Sequence, residues 1–270
     1  MKNKTVEQRA YQKTFETTLQ DVLDMLEAND GRSFEEKKEQ AIRMLTEKQD
    51  ALLANVLVGM AIAEKSASQI RDSFWSFGKE IELPNKITLR KVRESDRPGF
   101  LSLQRHYSCT ATMLEHEAYQ NMVWSEHTEQ KSLTISIEHN GEYAGYCGIQ
   151  DLSKNVMEIS IELLPEKTAQ GIGFASISAM LDALRDRLGM LEYRIRIEPT
   201  NYASQRLFEK LGAVPNGISE LWLHKPEDLD ELERDNESLI DDALMAVAEK
   251  FSVEPRALLS HVLEYKLIWR

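Results

Sequence analysis

Apolar positions in the first third of the chain recur at helical spacing. Phe15, Leu19, Val22, Leu23 and Leu26 share one face, and Leu52, Leu53, Val56, Leu57 and Met60 share another. The stretch NDGRS (29–33) separates them as a turn. Residues 1–85 therefore read as a helical N-terminal region of two or three helices. The apolar run ALLANVLVGMAIA (51–63) contains Asn55 and is well short of the ~20 residues that cross a bilayer. It reads as a core or interface helix, and it makes a homodimer through the N-terminal helices an expectation.

After ELPNK (82–86) the period changes to two. ITLRKV (87–92) predicts a strand, and a helix follows from near Ser95 with Pro98 tolerated in its first turn. SLTISIEHNGEYAGYCGI (132–149) predicts a hairpin, because Leu133, Ile135 and Ile137 alternate with polar residues and Asn140-Gly141 suits a type I′ turn. In VMEISIELL (156–164), Met157, Ile159, Ile161 and Leu163 fall on one face, and Glu158, Ser160 and Glu162 on the other. A helix then carries Phe174, Ile177, Leu181, Leu184 and Leu188 and stops at Gly189. EYRIRIEP (192–199) predicts a strand. NYASQRLFEKLG predicts a helix capped by Asn201 and stopped by Gly212, and ISELWLHK (218–225) a last strand. LIDDALMAVAEKF and PRALLSHVLEYKLIW read as two final helices. The expected fold class is α/β with one mixed sheet (α+β) and additional all-α regions at both ends. The expected division is 1–85 helical, 86–225 the mixed domain, and 226–270 an acidic linker with C-terminal helices.

Composition narrows the function. The formal net charge of −12 argues against a general nucleic-acid binder, which would carry a basic face. Much of the acidity sits in PEDLDELERDNESLIDD (226–242), the pattern of a solvated helix face or linker. Cys109 and Cys147 have no CxxC spacing, which points to a reducing compartment and a cytoplasmic location. Residues 1–30 lack the apolar core of a signal peptide, so no membrane association is expected. The six histidines are scattered without an HxxxH pair, and no metal is expected.

The chemistry concentrates in LLPEKTAQGIGFAS (163–176), a glycine turn between strand and helix. Unpaired amides at a helix N-terminus, with the positive end of its dipole, form a natural phosphate site. A P-loop would need Lys-Ser or Lys-Thr where Phe174 and Ala175 stand. A dinucleotide fingerprint would need glycine at Ser176, although Glu198 stands where such sites carry a ribose-binding acid; an oxidoreductase is a minor alternative.

The frame Thr168-Ala169-Gln170-Gly171-Ile172-Gly173, followed by a helix, a strand and Asn201, Leu207, Phe208, Leu211 and Gly212, resembles the acetyl-CoA-binding core of the GNAT family of N-acetyltransferases. The resemblance covers about half the chain, Ile87 to about Lys225, and omits both flanking regions. It implies acetyl transfer from acetyl-CoA to a primary amine, either a small molecule or a peptide, by direct attack on the thioester. It implies that the amides of Gln170, Gly171, Ile172, Gly173 and Phe174 grip the diphosphate in a coenzyme-binding loop that begins at Thr168 and Ala169, and that the backbone of Leu163 and Leu164 pairs with the pantetheine arm. Asn201, Ser204 and Phe208 would border the arm. Thr168 departs from the family's usual long side chain, with Lys167 or Gln170 as substitute donors. Glu158 and Glu162 are the expected bases; Phe208 occupies the family's tyrosine position, so the expected acid is Tyr202, with Tyr146, Cys147 or water as alternatives. Phe208 also supports a second reading, a non-catalytic acyl-CoA sensor or scaffold.

Overall fold

The structure, a computed structural model, describes residues 21–22, 24–25, 28, 30–46, 67–128, 131–152, 156–220 and 226–270. The run 51–63, Phe15, Leu19, Leu23 and Leu26 of the first helical face, and residues 221–225 of the expected last strand lie outside them. The chain divides into two units, Met1–Ser66 and Ala67–Arg270. In the first, helix α1 (Phe34–Thr46) opens on a reciprocal cap. Glu36 N donates to Ser33 Oγ at 3.3 Å, and Ser33 N donates to Glu36 Oε2 at 2.7 Å.

The second unit is built on one eight-stranded mixed sheet among the described residues, preceded by a helix over 67–76 (α2). Its strands are β1 (Glu80–Leu83), β2 (Ile87–Lys91), β3 (Leu133–His139), β4 (Glu142–Ile149), β5 (Met157–Leu163), β6 (Glu192–Ile197), β7 (Val214–Glu220) and β8 (His261–Ile268). They lie in the order β1-β2-β3-β4-β5-β6-β8-β7, antiparallel throughout except for β5 with β6. The helices are α3 (Arg97–Tyr107), α4 (Glu117–His127), α5 (Ile172–Leu188), α6 (Tyr202–Lys210), α7 (Pro226–Asp235) and α8 (Asp242–Phe251). The β3–β4 turn has Asn140 at φ 57° and Gly141 at φ 82°, the two left-handed residues that a type I′ turn needs.

Alternation along β4 assigns the two sheet faces. Cys147 joins the large core, in which α5 packs Ile177, Met180, Leu181 and Leu184 against Leu89, Ile135, Ile137, Ile159 and Ile195. Tyr146 joins a smaller cluster on the other face, with Phe100 and Leu101 of α3, Leu114 and Trp124 of α4.

Three expectations need correction. The C-terminal PRALLSHVLEYKLIW is not a helix: after a 3-10 turn at Pro255–Leu259 it becomes β8, inserted between β6 and β7. Leu263, Tyr265 and Leu267 are buried while Glu264 and Lys266 are less so, a period of two that the adjacent helical-looking leucines obscure. The last strand of the expected domain starts at Val214, four residues early. The stretch ahead of Ile87 is also not purely helical. It contributes β1, which turns into β2 through Pro84–Lys86 with Asn85 and Lys86 left-handed.

Candidate functional site

The parallel strands β5 and β6 pair only at Met157↔Tyr193 and Glu158↔Arg194, then part. β5 continues to Leu163 held on its other side by β4. Leu164 N donates to Ala144 O at 2.9 Å, toward β4. The trans peptide therefore turns the Leu163 carbonyl the opposite way, into the gap. Alternation gives the Ile161 backbone the same direction. Of the two residues expected to line the arm, Leu163 faces the gap and the Leu164 amide does not; Ile161, which was not among the expected residues, faces it as well. The Leu163 carbonyl accepts from the hydroxyl of Tyr107, on α3, at 3.1 Å. Gly145 permits the close approach of β4 here, since a Cβ on it would lie 2.1 Å from the Glu162 carbonyl oxygen.

At the open end of the gap a 3-10 turn, Pro165–Lys167, leads into the glycine loop. Ala169 and Gly171 are left-handed, φ 57° and 77°, and Gly171 is the N-cap of α5. Ala175 N to Gly171 O, at 3.1 Å, is the first bond of the α5 ladder, so the amides of Ile172, Gly173 and Phe174 precede it. Side chains of the loop bond the loop itself or the neighbouring strand β4. Thr168 Oγ1 donates to Pro165 O at 2.7 Å, Gln170 Nε2 to Glu166 O at 2.6 Å, and Lys167 Nζ pairs with Glu142 at 3.1 Å. Lys167 and Gln170 are thus engaged, which leaves the backbone amides of the α5 N-terminus as the electropositive groups of the loop. Lys210 of α6 adds a charge that sequence reasoning overlooked, its Nζ lying 4.5 Å from the Phe174 ring centroid. Three residues of α6 and its cap were expected at the site. Asn201 Oδ1 accepts from Ser204 N at 3.1 Å and caps the helix. Phe208 is only 2% exposed, inside the large core, and Tyr202 packs against that core.

The opposite face of the sheet carries the titratable groups. Glu162 stands on β5 beneath Gln104 of α3, whose Nε2 is 3.4 Å from its Oε2, and beside the Tyr146 hydroxyl. Burial raises its proton affinity above the usual carboxylate range, with the Tyr146 hydrogen bond opposing. Glu158 shares the face but not the chemistry. It is 8% exposed and held by Arg194 and Arg196, each at 2.9 Å, rather than standing on an open polar face. Beyond Tyr146 lies His127, 8% exposed, stacked on Phe100 at 4.0 Å and met edge-on by Tyr146 at 4.6 Å. Burial lowers its pKa from 6.5 to about 4, against a weak pull from Asp96. Neither His127 nor Gln104 carried a signal in sequence, because each comes from a helix whose docking on the sheet is a tertiary matter. Among the described residues no group of three metal-ligating side chains converges, and no helix is long and apolar enough to cross a membrane.

A mixed sheet that opens between two parallel strands, with a glycine loop and a helix N-terminus at the opening, is the mixed α/β fold that the motifs led one to expect. Residues 86–214 match the family model Acetyltransferase (GNAT) domain, and this central segment belongs to that family. The chain is 29% identical over 85 residues to a candidate [ribosomal protein bS18]-alanine N-acetyltransferase of Bacillus subtilis (strain 168), spanning 31% of this chain and 55% of that relative. Among solved structures, one described as a candidate acetyltransferase superposes with a TM-score of 0.50 at 16% identity, covering 72% of this chain and 88% of its own. Mycobacterium smegmatis RimJ in complex with CoA-disulfide gives 0.47 at 15% identity, covering 70% and 85%.

Proposed function

We propose that the protein transfers the acetyl group of acetyl-CoA to a primary amine. The observation that carries the reading is the gap between β5 and β6, which lies between the α5 N-terminus and the part-buried carboxylate of Glu162. The diphosphate docks on the amides of Gly171 to Phe174, supported by Lys210, and the arm runs along the gap-facing backbone of Ile161 and Leu163. Glu162 takes the proton from the attacking amine. Its raised proton affinity brings it nearer to that task at neutral pH than an exposed carboxylate would be. Glu158 is left out of this role, because two guanidinium groups already hold its charge. A backbone amide of the gap stabilises the oxyanion.

A family match and a relative whose name specifies alanine N-acetylation support an amine acceptor, peptide or small molecule. Two unpaired cysteines, Cys109 and Cys147, favour a reducing, cytoplasmic setting. One observation favours the second reading, an acyl-CoA sensor: Phe208 is buried and has no hydroxyl to give a departing thiolate.

Calorimetric titration with acetyl-CoA, followed by a thiol-release assay over peptide N-termini, polyamines and amino acids, decides between them. Micromolar binding with thiol release supports the transferase. Binding without release across the panel supports the sensor, and absence of binding removes both.

A further inference from the structure

A thiolate leaving an acyl-CoA needs a proton, and none of the groups expected to supply it is seen to face the strand gap. Phe208 has no hydroxyl, Tyr202 packs on the large core, and Cys147 is fully buried in that core with its thiol proton affinity raised by burial. The Tyr146 hydroxyl is tied to Glu162. Tyr107, at the C-terminal end of α3, is different. Its ring is half exposed, and its hydroxyl reaches across to the Leu163 carbonyl, the strand-edge group that faces the gap.

We propose that Tyr107 is the acid that protonates the departing thiolate, a role that rests on the transferase reading above. In the step, the amine nitrogen bonds to the acetyl carbonyl carbon and its proton passes to Glu162. The carbon–sulfur bond breaks with its electron pair on sulfur, and the phenolic proton of Tyr107 passes to that sulfur. The products are the amide and the free thiol of the coenzyme. The phenolate, open to solvent, regains a proton from water, and Glu162 returns its own to water. Pairing of the arm with the Leu163 carbonyl takes over the hydrogen bond that Tyr107 now makes there and releases the hydroxyl for sulfur. Burial, and then the nearby carboxylates Glu162 and Glu166, raise the proton affinity of the phenol, so that it enters the reaction as a neutral donor.

The test is Tyr107→Phe in the full chain, measuring the acetyl-CoA Kd by calorimetry and thiol release with an amine that the wild type uses. The expected result is turnover lower by about 10²-fold with Kd within about twofold of wild type, the split of a group acting in the transition state. Turnover within about threefold of wild type, with acetyl-CoA bound more tightly, would show a mere latch on the Leu163 carbonyl and overturn the proposal. Equal losses in affinity and turnover would show a packing role and overturn it too, and a Tyr107→Leu variant with the same kcat as Tyr107→Phe but weaker binding separates ring from hydroxyl. A wild type that binds acetyl-CoA and releases no thiol across the panel overturns the transferase reading, and this proposal with it; intact turnover in Tyr107→Phe overturns the tyrosine alone.

Discussion

Glu162, the base of the proposed transfer, sits where its charge works against stability. Its carboxyl binds a proton more tightly in the fold than in the unfolded chain, because burial disfavours the charge. The ionised form therefore costs stability, and that cost appears as pH rises from the unfolded carboxylate range through the raised folded value. Glu162→Gln is expected to lower thiol release by about 10²- to 10⁴-fold while raising the Tm at pH 7, and the gain in Tm should vanish near pH 3, where the wild-type group is neutral in both states. Melting curves at the two pH values check it; a lower Tm at pH 7 would contradict it. His127 has the opposite sign. Its pKa falls from 6.5 to about 4, so the unfolded chain takes up a proton in a window where the fold does not. Its contribution is intact above 6.5 and is lost as pH falls toward 4, by up to about 3 kcal/mol. In urea titrations at pH 7 and pH 4.5, His127→Phe should shrink the stability difference between the two conditions.

At the scale of elements, the site depends on where α3 is pinned. Asp96, at its N-terminus, accepts from Arg90 at 2.8 and 2.7 Å, from Arg93 N at 2.9 Å and from Ser136 Oγ at 2.7 Å. Burial works against its charge, but these donors outweigh it and hold its proton affinity below the ordinary value. Asp96→Ala leaves the buried Arg90 without its main partner and is expected to cost about 3–5 kcal/mol. Because α3 carries Gln104 and Tyr107, thiol release in this variant should fall more than acetyl-CoA affinity, if the coenzyme binds as proposed on α5 and the edge of β5. The α5 terminus has its own prediction: Gly171 is left-handed with open space around it, so Gly171→Glu strains the loop and sets a carboxylate beside the amides. Calorimetry should show acetyl-CoA binding weakened by at least about tenfold. Elements with one clear period were legible in sequence, as β5 and α5 show. The glycine turn was legible because φ at Gly171 and Ala169 is a local property. The ion pairs of Glu158 were not, since Arg194 and Arg196 lie on a strand whose register with β5 no local pattern encodes. The docking of Tyr107 on the Leu163 carbonyl was hidden for the same reason.

For the whole molecule, the most consequential miss is β8, and it changes what counts as the folding unit. A reading that ends the mixed domain at Lys225 leaves β6 and β7 as neighbours, yet in the structure they are separated by β8, which pairs with both. From Glu192↔Ile268 to Ile197↔Leu263 one edge of β6 is covered by β8, and the core that it closes includes Leu263, Tyr265 and Leu267, all fully buried. Trp269 adds a hydrogen bond from Nε1 to Asp182 Oδ1 of α5 at 3.0 Å, tying the chain's end to the helix that bears the glycine loop. Removing these residues exposes a long apolar strand edge, a template for aggregation, and takes out three side chains worth about 1.5–3 kcal/mol each in burial alone. That sum is comparable to the entire stability of an ordinary domain, about 5–15 kcal/mol. A chain truncated after Lys225 is therefore expected to be insoluble or to melt without a cooperative transition, and the full chain to melt cooperatively. If the truncated chain instead stays monomeric, melts sharply and binds acetyl-CoA with the affinity of the full chain, then β7 has closed onto β6 without its intervening strand, and the C-terminal segment is an accessory rather than a part of the fold.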